Sequence, residues 1–159
     1  MTNIIKEYKQ KISEILNCDF KEIRFFTNKI ELTNDDLLVH SKMIKKDEYE
    51  NNDHYLCSVY KNKELITSFK LYEFPKCCAI LVSCNAVVTN NFVNLKIGTI
   101  TNILRQDIAR LLGYSCLMCT DVEQNKFQRQ LLKTNGWSDI YNVMNKRTNN
   151  NVFLTVINL

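Results

Sequence analysis

The sequence predicts an α/β fold: a mixed, mostly antiparallel sheet with a central parallel strand pair, flanked by helices. Three observations carry this. Apolar residues recur at helical spacing over residues 3–17, 99–112 and 126–134, whereas residues 54–60 and 64–74 alternate and residues 77–88 are almost unbroken in apolar character. That unbroken run leads through one glycine, Gly98, into a helix and then a short apolar stretch at 116–120, and a strand–helix–strand unit of this kind closes with its strands parallel. Finally, Asn125 opens a last helix that stops at Asn135-Gly136, and the aromatic Trp137 follows at once.

Taken in order, Ile4, Ile5, Tyr8, Ile12, Ile15 and Leu16 fall on one face and make residues 3–17 an amphipathic helix. Residues 25–33 read as a strand containing a polar turn. Asn34, Asp35 and Asp36 then cap a short helix at 37–45, their carboxylates suiting its positive end. The polar stretch 45–53 reads as a solvated loop, with a substrate lid as the sharper alternative. Residues 54–60 and 64–74 form an antiparallel pair around a tight turn at Lys61-Asn62-Lys63, and Pro75 ends the second strand. The continuous run 77–88 is expected of a central strand covered on both faces. Ile100, Ile103, Leu104, Ile108 and Leu111 keep helical period, with Gly113 as the C-cap. Phe127, Leu131 and Leu132 mark the final helix, and residues 137–144 and 152–157 close the chain as a hairpin.

Length and composition narrow the function classes. A chain of 159 residues with 45% apolar content supports one domain, spanning 1–159, with a genuine core. No apolar run approaches bilayer length, and the charged, amphipathic start is unlike a signal peptide, so the expected location is cytoplasmic with no membrane partner. Seven cysteines without a secretory signal argue against a disulfide framework. Cys116 and Cys119 form a C-x-x-C, but inside an apolar strand and without nearby histidines, so core cysteines are expected and no metal. The net charge of +4 is modest and the lysines form no stripe with aromatics, so no nucleic-acid partner is expected.

The strongest signal lies between residues 88 and 137. The stretch Val88-Thr89-Asn90-Asn91-Phe92-Val93-Asn94-Leu95-Lys96-Ile97-Gly98, the spacing from Gly98 to Gly113, the helix-opening Asn125 and the ending Asn135-Gly136-Trp137 together resemble the GNAT N-acetyltransferase superfamily. The element order agrees with that resemblance throughout. The tail, Asn145-Lys146-Arg147-Thr148 followed by Val152-Phe153-Leu154, resembles GNAT-like proteins of phages. The resemblance implies acetyl-CoA as cosubstrate, with its diphosphate held by the loop amides around Val93, Asn94, Lys96 and Ile97 and by Gly98 and Thr99. It also implies that Val87 and Val88 offer strand amides to the pantetheine arm and that Asn125 contacts the same arm. The partner implied is an amine acceptor, a small molecule or a protein, attacking the thioester directly in a ternary complex. The oligomeric state stays open, a homodimer being the candidate.

Departures from the family pattern set the alternative. Val93 stands where Arg or Gln is usual, Lys96 where the first motif glycine is usual, and Leu132 where many members carry a proton-donating Tyr. Lys96 either obstructs the phosphate cradle or reaches over the phosphates with its ammonium group. The central strand offers Cys84 and Asn85 where a carboxylate is frequent. Cys84 is the candidate catalytic residue, as nucleophile or proton relay through water, against the plain reading of a buried small hydrophobe. Asp121 and Glu123 are candidate cleft carboxylates, and Tyr114 or Tyr141 candidate replacements for the missing acid. The competing function is a catalytically silent fold that binds CoA or a protein without turnover.

Overall fold

The computed structural model describes residues 3–32, 54–73 and 80–159. Its elements are α1 (Ile4–Leu16), β1 (Ile23–Thr27), β2 (Ile30–Leu32), β3 (His54–Lys61), β4 (Glu64–Glu73), β5 (Ile80–Val88), α2 (Ile97–Leu111), β6 (Cys116–Val122), α3 (Lys126–Thr134), β7 (Ser138–Asn145) and β8 (Asn150–Asn158). The expected helix at 37–45, the loop at 45–53 and the strand start at 77–79 lie outside the described residues, as does Pro75. The eight strands form one sheet in the order β2-β1-β3-β4-β5-β6-β8-β7. Every neighbouring pair is antiparallel except β5–β6, which is parallel. This is the predicted α/β architecture.

Local chemistry explains the element ends. The Asn3 side chain accepts from the Lys6 amide at 2.8 Å and caps α1, while Asn17 leaves the helix in the left-handed region at φ 49°. The expected strand at 25–33 is a hairpin, because Asn28 and Lys29 both take positive φ (51° and 68°) and turn β1 directly into β2. Asn62, at φ 54°, serves the β3–β4 turn. Gly113 and Gly136 end α2 and α3 at φ 87° and 84°, where the next residues, Tyr114 and Trp137, return amide bonds to Ala109 and Leu132.

Ile5, Tyr8 and Ile12 of α1 pack with Ile23, Phe25, Tyr55, Phe69 and Leu71 of the sheet and with Leu104 and Ile108 of α2 in one core. Tyr8 donates its hydroxyl to Asp107 Oδ2 at 2.5 Å, latching α1 to α2. Desolvation and the adjacent carboxylate push that phenol well above its ordinary pKa. The inward face of α2 differs from the expected one. Ile103 and Leu111 are each 39% exposed, whereas Thr101, Asn102, Arg105 and Gln106 are buried with Leu104 and Ile108.

Candidate functional site

The site is built where the sheet opens. β5 and β6 pair over only three rungs, Ile80↔Cys116, Leu81↔Leu117 and Val82↔Met118. Beyond them β5 stays on β4 out to Val88 and β6 stays on β8 out to Val122, but the two no longer pair with each other. Peptide groups of β5 past Val82 that face β6 are left without a strand partner there, which an extended chain could satisfy. β5 also carries a bulge. Between the rungs Ser68↔Val87 and Lys70↔Cys84 it has two residues, Asn85 and Ala86, against one on β4. A bulge bends the strand and re-aims its residues, a device frequent beside binding sites.

The open end of β5 feeds an anchored loop. The Thr89 amide donates to Ile66 O at 3.0 Å, the Thr89 hydroxyl donates to Leu65 O at 2.6 Å, and a short 3-10 turn, Asn90–Phe92, buries Phe92. Val93, Asn94 and Lys96 then lie exposed, with Asn94 and Lys96 in the left-handed region at φ 63° and 62°. Lys96 therefore keeps the backbone path that a glycine would take without strain and adds a cation to it. It is also the N-cap of α2, and no side chain caps that helix. The first-turn amides of Ile97, Gly98 and Thr99 thus point outward beside a free lysine, and no acidic residue sits in that turn. Among the described residues Lys96 makes no ion pair. Orphan amides, the positive end of a helix dipole and an ammonium group suit an anion.

Gly98 is not held in place by its backbone angles. It lies in the first helical turn outside the left-handed region, so its backbone does not require glycine. A Cβ there would meet Leu131 Cδ1 at 3.9 Å, an ordinary van der Waals contact, so a methyl would fit and occupy part of the border between α2 and α3. Two adjoining cavities flank this point. One, about 180 Å³, is lined by Val88, Phe92, Val93, Asn94, Lys96 and Thr99, and the other, about 160 Å³, by Thr101, Asn102, Arg105 and Gln128; Val88, Gly98, Phe127 and Leu131 border both. Seven of the expected contacts thus meet in one region: Val88, Val93, Asn94, Lys96, Gly98 and Thr99 line a cavity and Ile97 lies among them in the chain. Val87 and Cys84 are on β5 along the opened stretch. Asn125 is the N-cap of α3, its Oδ1 accepting from the Gln128 amide at 3.1 Å, and Gln128 lines the second cavity.

Thr101, Asn102, Arg105 and Gln128 were not singled out from the sequence. Arg105 is buried under Trp137, with its guanidinium 4.8 Å from the ring centroid, and its Nε and Nη2 donate to Asn102 Oδ1 at 3.0 and 2.7 Å. Burial lowers its pKa and Cys119 opposes that shift. Among the described residues, Asn102 Nδ2 is buried with no hydrogen-bond partner. The available signal was a polar i, i+4 pair, Thr101 and Arg105, in phase with Ile97 and Ile108 on one helical stripe.

The proposed acids and bases fare differently. Leu132 is buried in the core, so no donor stands there. Asp121 accepts from Arg129 Nη1 at 2.9 Å and from Thr155 Oγ1 at 2.7 Å, and Arg129 also donates to Asp139 Oδ2 at 2.7 Å while lying 3.6 Å from the Phe153 centroid. Asp121 is thus part of a knot tying α3 to β6, β7 and β8, not a cleft base. Arg129 in turn holds the Asp139 carboxyl below its ordinary pKa. Tyr114 follows the far end of α2, about 22 Å from its first turn for a helix of 15 residues, and Tyr141 is 65% exposed on β7. Neither is near the opening. Cys57 is buried with its thiol pushed up to about 12 by desolvation. Cys116 and Cys119 sit three apart on a strand and so point to opposite faces.

A larger cavity, about 450 Å³, lies on β1 and β3 between Arg24, Phe26, Leu56 and Tyr60. Its arginine is already neutralised by Glu31 at 2.6 Å, and it adjoins neither the strand opening nor a helix N-terminus.

Comparison with known proteins places this geometry. No family model matches the sequence, and no curated protein matches it. Solved structures do match, and they share the GNAT acetyltransferase fold. An IAA acetyltransferase from Bacillus cereus superposes with a TM-score of 0.60 at 14% identity, covering 67% of this chain and 78% of that one. A GNAT family acetyltransferase from Elizabethkingia anophelis with acetyl-CoA bound gives 0.58 at 19% identity, over 67% and 76%. The structure of yncA from Salmonella typhimurium with its cofactor acetyl-CoA gives 0.57 at 12% identity, over 67% of this chain and 65% of that one. The chain has the GNAT fold, and identities this low establish the fold alone.

Proposed function

We propose that this protein binds acetyl-CoA in the opening between β5 and β6 and transfers the acetyl group to a primary amine. The observation that carries this reading is the meeting of two features. The parallel pair parts after Val82 and Met118, and the opened β5 runs into a helix whose uncapped first turn stands beside Lys96. In the reading, the diphosphate lies on the amides of Ile97, Gly98 and Thr99 under the Lys96 ammonium. The pantetheine arm pairs with the free edge of β5 near Val87 and Val88. The adjoining cavities are together near the lower end of the roughly 300–1,000 Å³ of ligand pockets, so the arm occupies the groove that Phe127 and Leu131 border.

The chemistry follows from what the site lacks. Among the described residues that line the groove, the cations Lys96 and Arg105 are the only charged groups, and neither is a base suited to an ammonium substrate. The amine would therefore attack the thioester carbon directly once bound as the free base, with the thiolate leaving and water carrying the proton away. Positioning and backbone polarisation of the carbonyl would supply the rate enhancement. Cys84, on the opened stretch, is the residue we would test as a proton relay. The phage-like tail and a cytoplasmic location belong to the same reading.

A silent CoA-binding role is the second reading, favoured by the apolar, exposed Val93 and the buried Leu132. Titration calorimetry with acetyl-CoA, followed by thiol release across an amine panel, separates the two. Binding with thiol release supports transfer. Binding without release supports the silent role, and absence of binding overturns both.

A further inference from the structure

We propose that Asn102 distinguishes a pantetheine thioester from a plain nucleotide, which rests on the reading above that CoA lies in this groove. Its Nδ2 donates to the amide carbonyl of the arm nearer the phosphates. Asn102 is 2% exposed, and among the described residues its Nδ2 has no hydrogen-bond partner. The other half of the same amide is engaged. Oδ1 accepts from Arg105 Nε at 3.0 Å and from Arg105 Nη2 at 2.7 Å. Turning the amide over would set two donors against a guanidinium group, so those bonds fix which way it points. Arg105 is held in turn, 3% exposed with its guanidinium 4.8 Å from the Trp137 ring centroid. The Nδ2 donor is therefore fixed in place, and a buried donor of this kind is costly until an acceptor reaches it.

Its place in the groove says which acceptor that is. Asn102 lines the cavity of about 160 Å³ that Val88, Gly98, Phe127 and Leu131 border. Thr101 beside it is not a competing donor, because its hydroxyl donates to Ile97 O at 2.8 Å and pairs with Thr67 Oγ1 at 2.9 Å. Along α2, Asn102 follows Gly98 by one turn, about 6 Å deeper than the amides that would hold the diphosphate. A pantetheine arm leaving the diphosphate carries its first amide carbonyl within a few bonds, at that depth. Among the described residues this lining has a cation and no carboxylate, so an oxygen acceptor fits and the ammonium form of an amine substrate does not. Strand amides near Val87 and Val88 would accept any extended chain, whereas one fixed side-chain donor sets how far the arm is drawn in. Asn102 is thus a positioning residue. It places the thioester along β5 relative to the bulge at Asn85 and Ala86.

Asn102→Asp tests this, since it keeps the size and the oxygen that Arg105 holds but replaces the donor by an acceptor. ADP is the comparison ligand, carrying a diphosphate without the arm. Calorimetry should show CoA binding about tenfold or more weaker in Asn102→Asp, with ADP binding little changed, whereas Lys96→Ala weakens both. A merely structural role would lower the melting temperature and both affinities together, and that result overturns the assignment. A second readout needs no variant. In the labelled, unaltered protein the Asn102 side-chain amide resonances should shift on titration with CoA and stay in place with ADP. Equal CoA binding by Asn102→Asp and the unaltered chain, or Asn102 resonances unmoved at saturating CoA, would give Nδ2 to a buried water and overturn the assignment while leaving the diphosphate site standing. An unaltered chain that binds neither CoA nor ADP overturns the proposed function itself, and this role with it.

Discussion

Replacing Lys96 separates the two things this residue does. Its backbone sits at φ 62° and ψ 11°, a conformation that costs a non-glycine residue about 1 kcal/mol. Lys96→Gly relieves that strain but adds unfolded-state entropy worth about 0.4–1 kcal/mol, so the net change in stability is roughly zero to slightly positive. For a chain of this length the melting temperature should rise by no more than about 3 °C. Lys96→Ala keeps the strain and should leave the melting temperature unchanged. Both variants lose the ammonium group. A hydrogen bond to a charged group contributes about 1.5–3 kcal/mol, discounted here because the lysine is exposed, so CoA should bind about 5- to 30-fold more weakly in each. Calorimetry with CoA reads the loss, and pantetheine, which lacks the phosphates, is the control whose affinity should not move. The loss should shrink as salt is raised. Tighter CoA binding by Lys96→Gly would refute the reasoning, since it would mean the side chain obstructs the cradle.

Further expectations follow from the groove and from the Arg129 knot. Gly98→Ala should stabilise α2 by up to about 1 kcal/mol, because its backbone is ordinary helix, while CoA affinity falls as the added methyl narrows the approach to Leu131; thermal melts and calorimetry on one sample read both. Arg129→Met strands the buried Asp121 carboxylate and should cost about 3 kcal/mol in urea unfolding, with Asp121→Asn in the same chain recovering part of it. The Asp139 and Glu31 carboxyls, held low by Arg129 and Arg24, contribute stability that is present above about pH 4 and lost as pH falls through their depressed folded values. The acid limb of a stability–pH curve should therefore flatten in Arg129→Met; an unchanged limb would deny Asp139 this role.

Much of the fold was readable from residue pattern because each element carried its own local signal. Capping asparagines at Asn3 and Asn125, the turn residues Asn28 and Asn62 and the helix-ending Gly113 and Gly136 act within a few residues of where they stand. The parallel crossover followed from chain order alone. What was hidden depends on partners distant in sequence. The inward face of α2 was misjudged because Arg105 reads as a surface residue until Trp137 and Asn102 are brought to it. Asp121 looked available because nothing near it in sequence announces Thr155. The bulge at Asn85 and Ala86 depends on register with β4, which alternation does not encode. The loop from Val93 to Thr99 was legible as a motif, yet only the backbone angles reveal that Lys96 takes the path of the glycine it replaces.

The most direct measurement is the amide nuclear magnetic resonance spectrum of the labelled protein during titration with CoA. The expected result is saturable shifts confined to the first turn of α2, led by Gly98 and Thr99, together with Val87 and Val88 on the opened strand. Shifts confined instead to the cavity around Arg24 and Tyr60, or an unchanged spectrum at saturating CoA, would contradict the placement of the diphosphate on that turn.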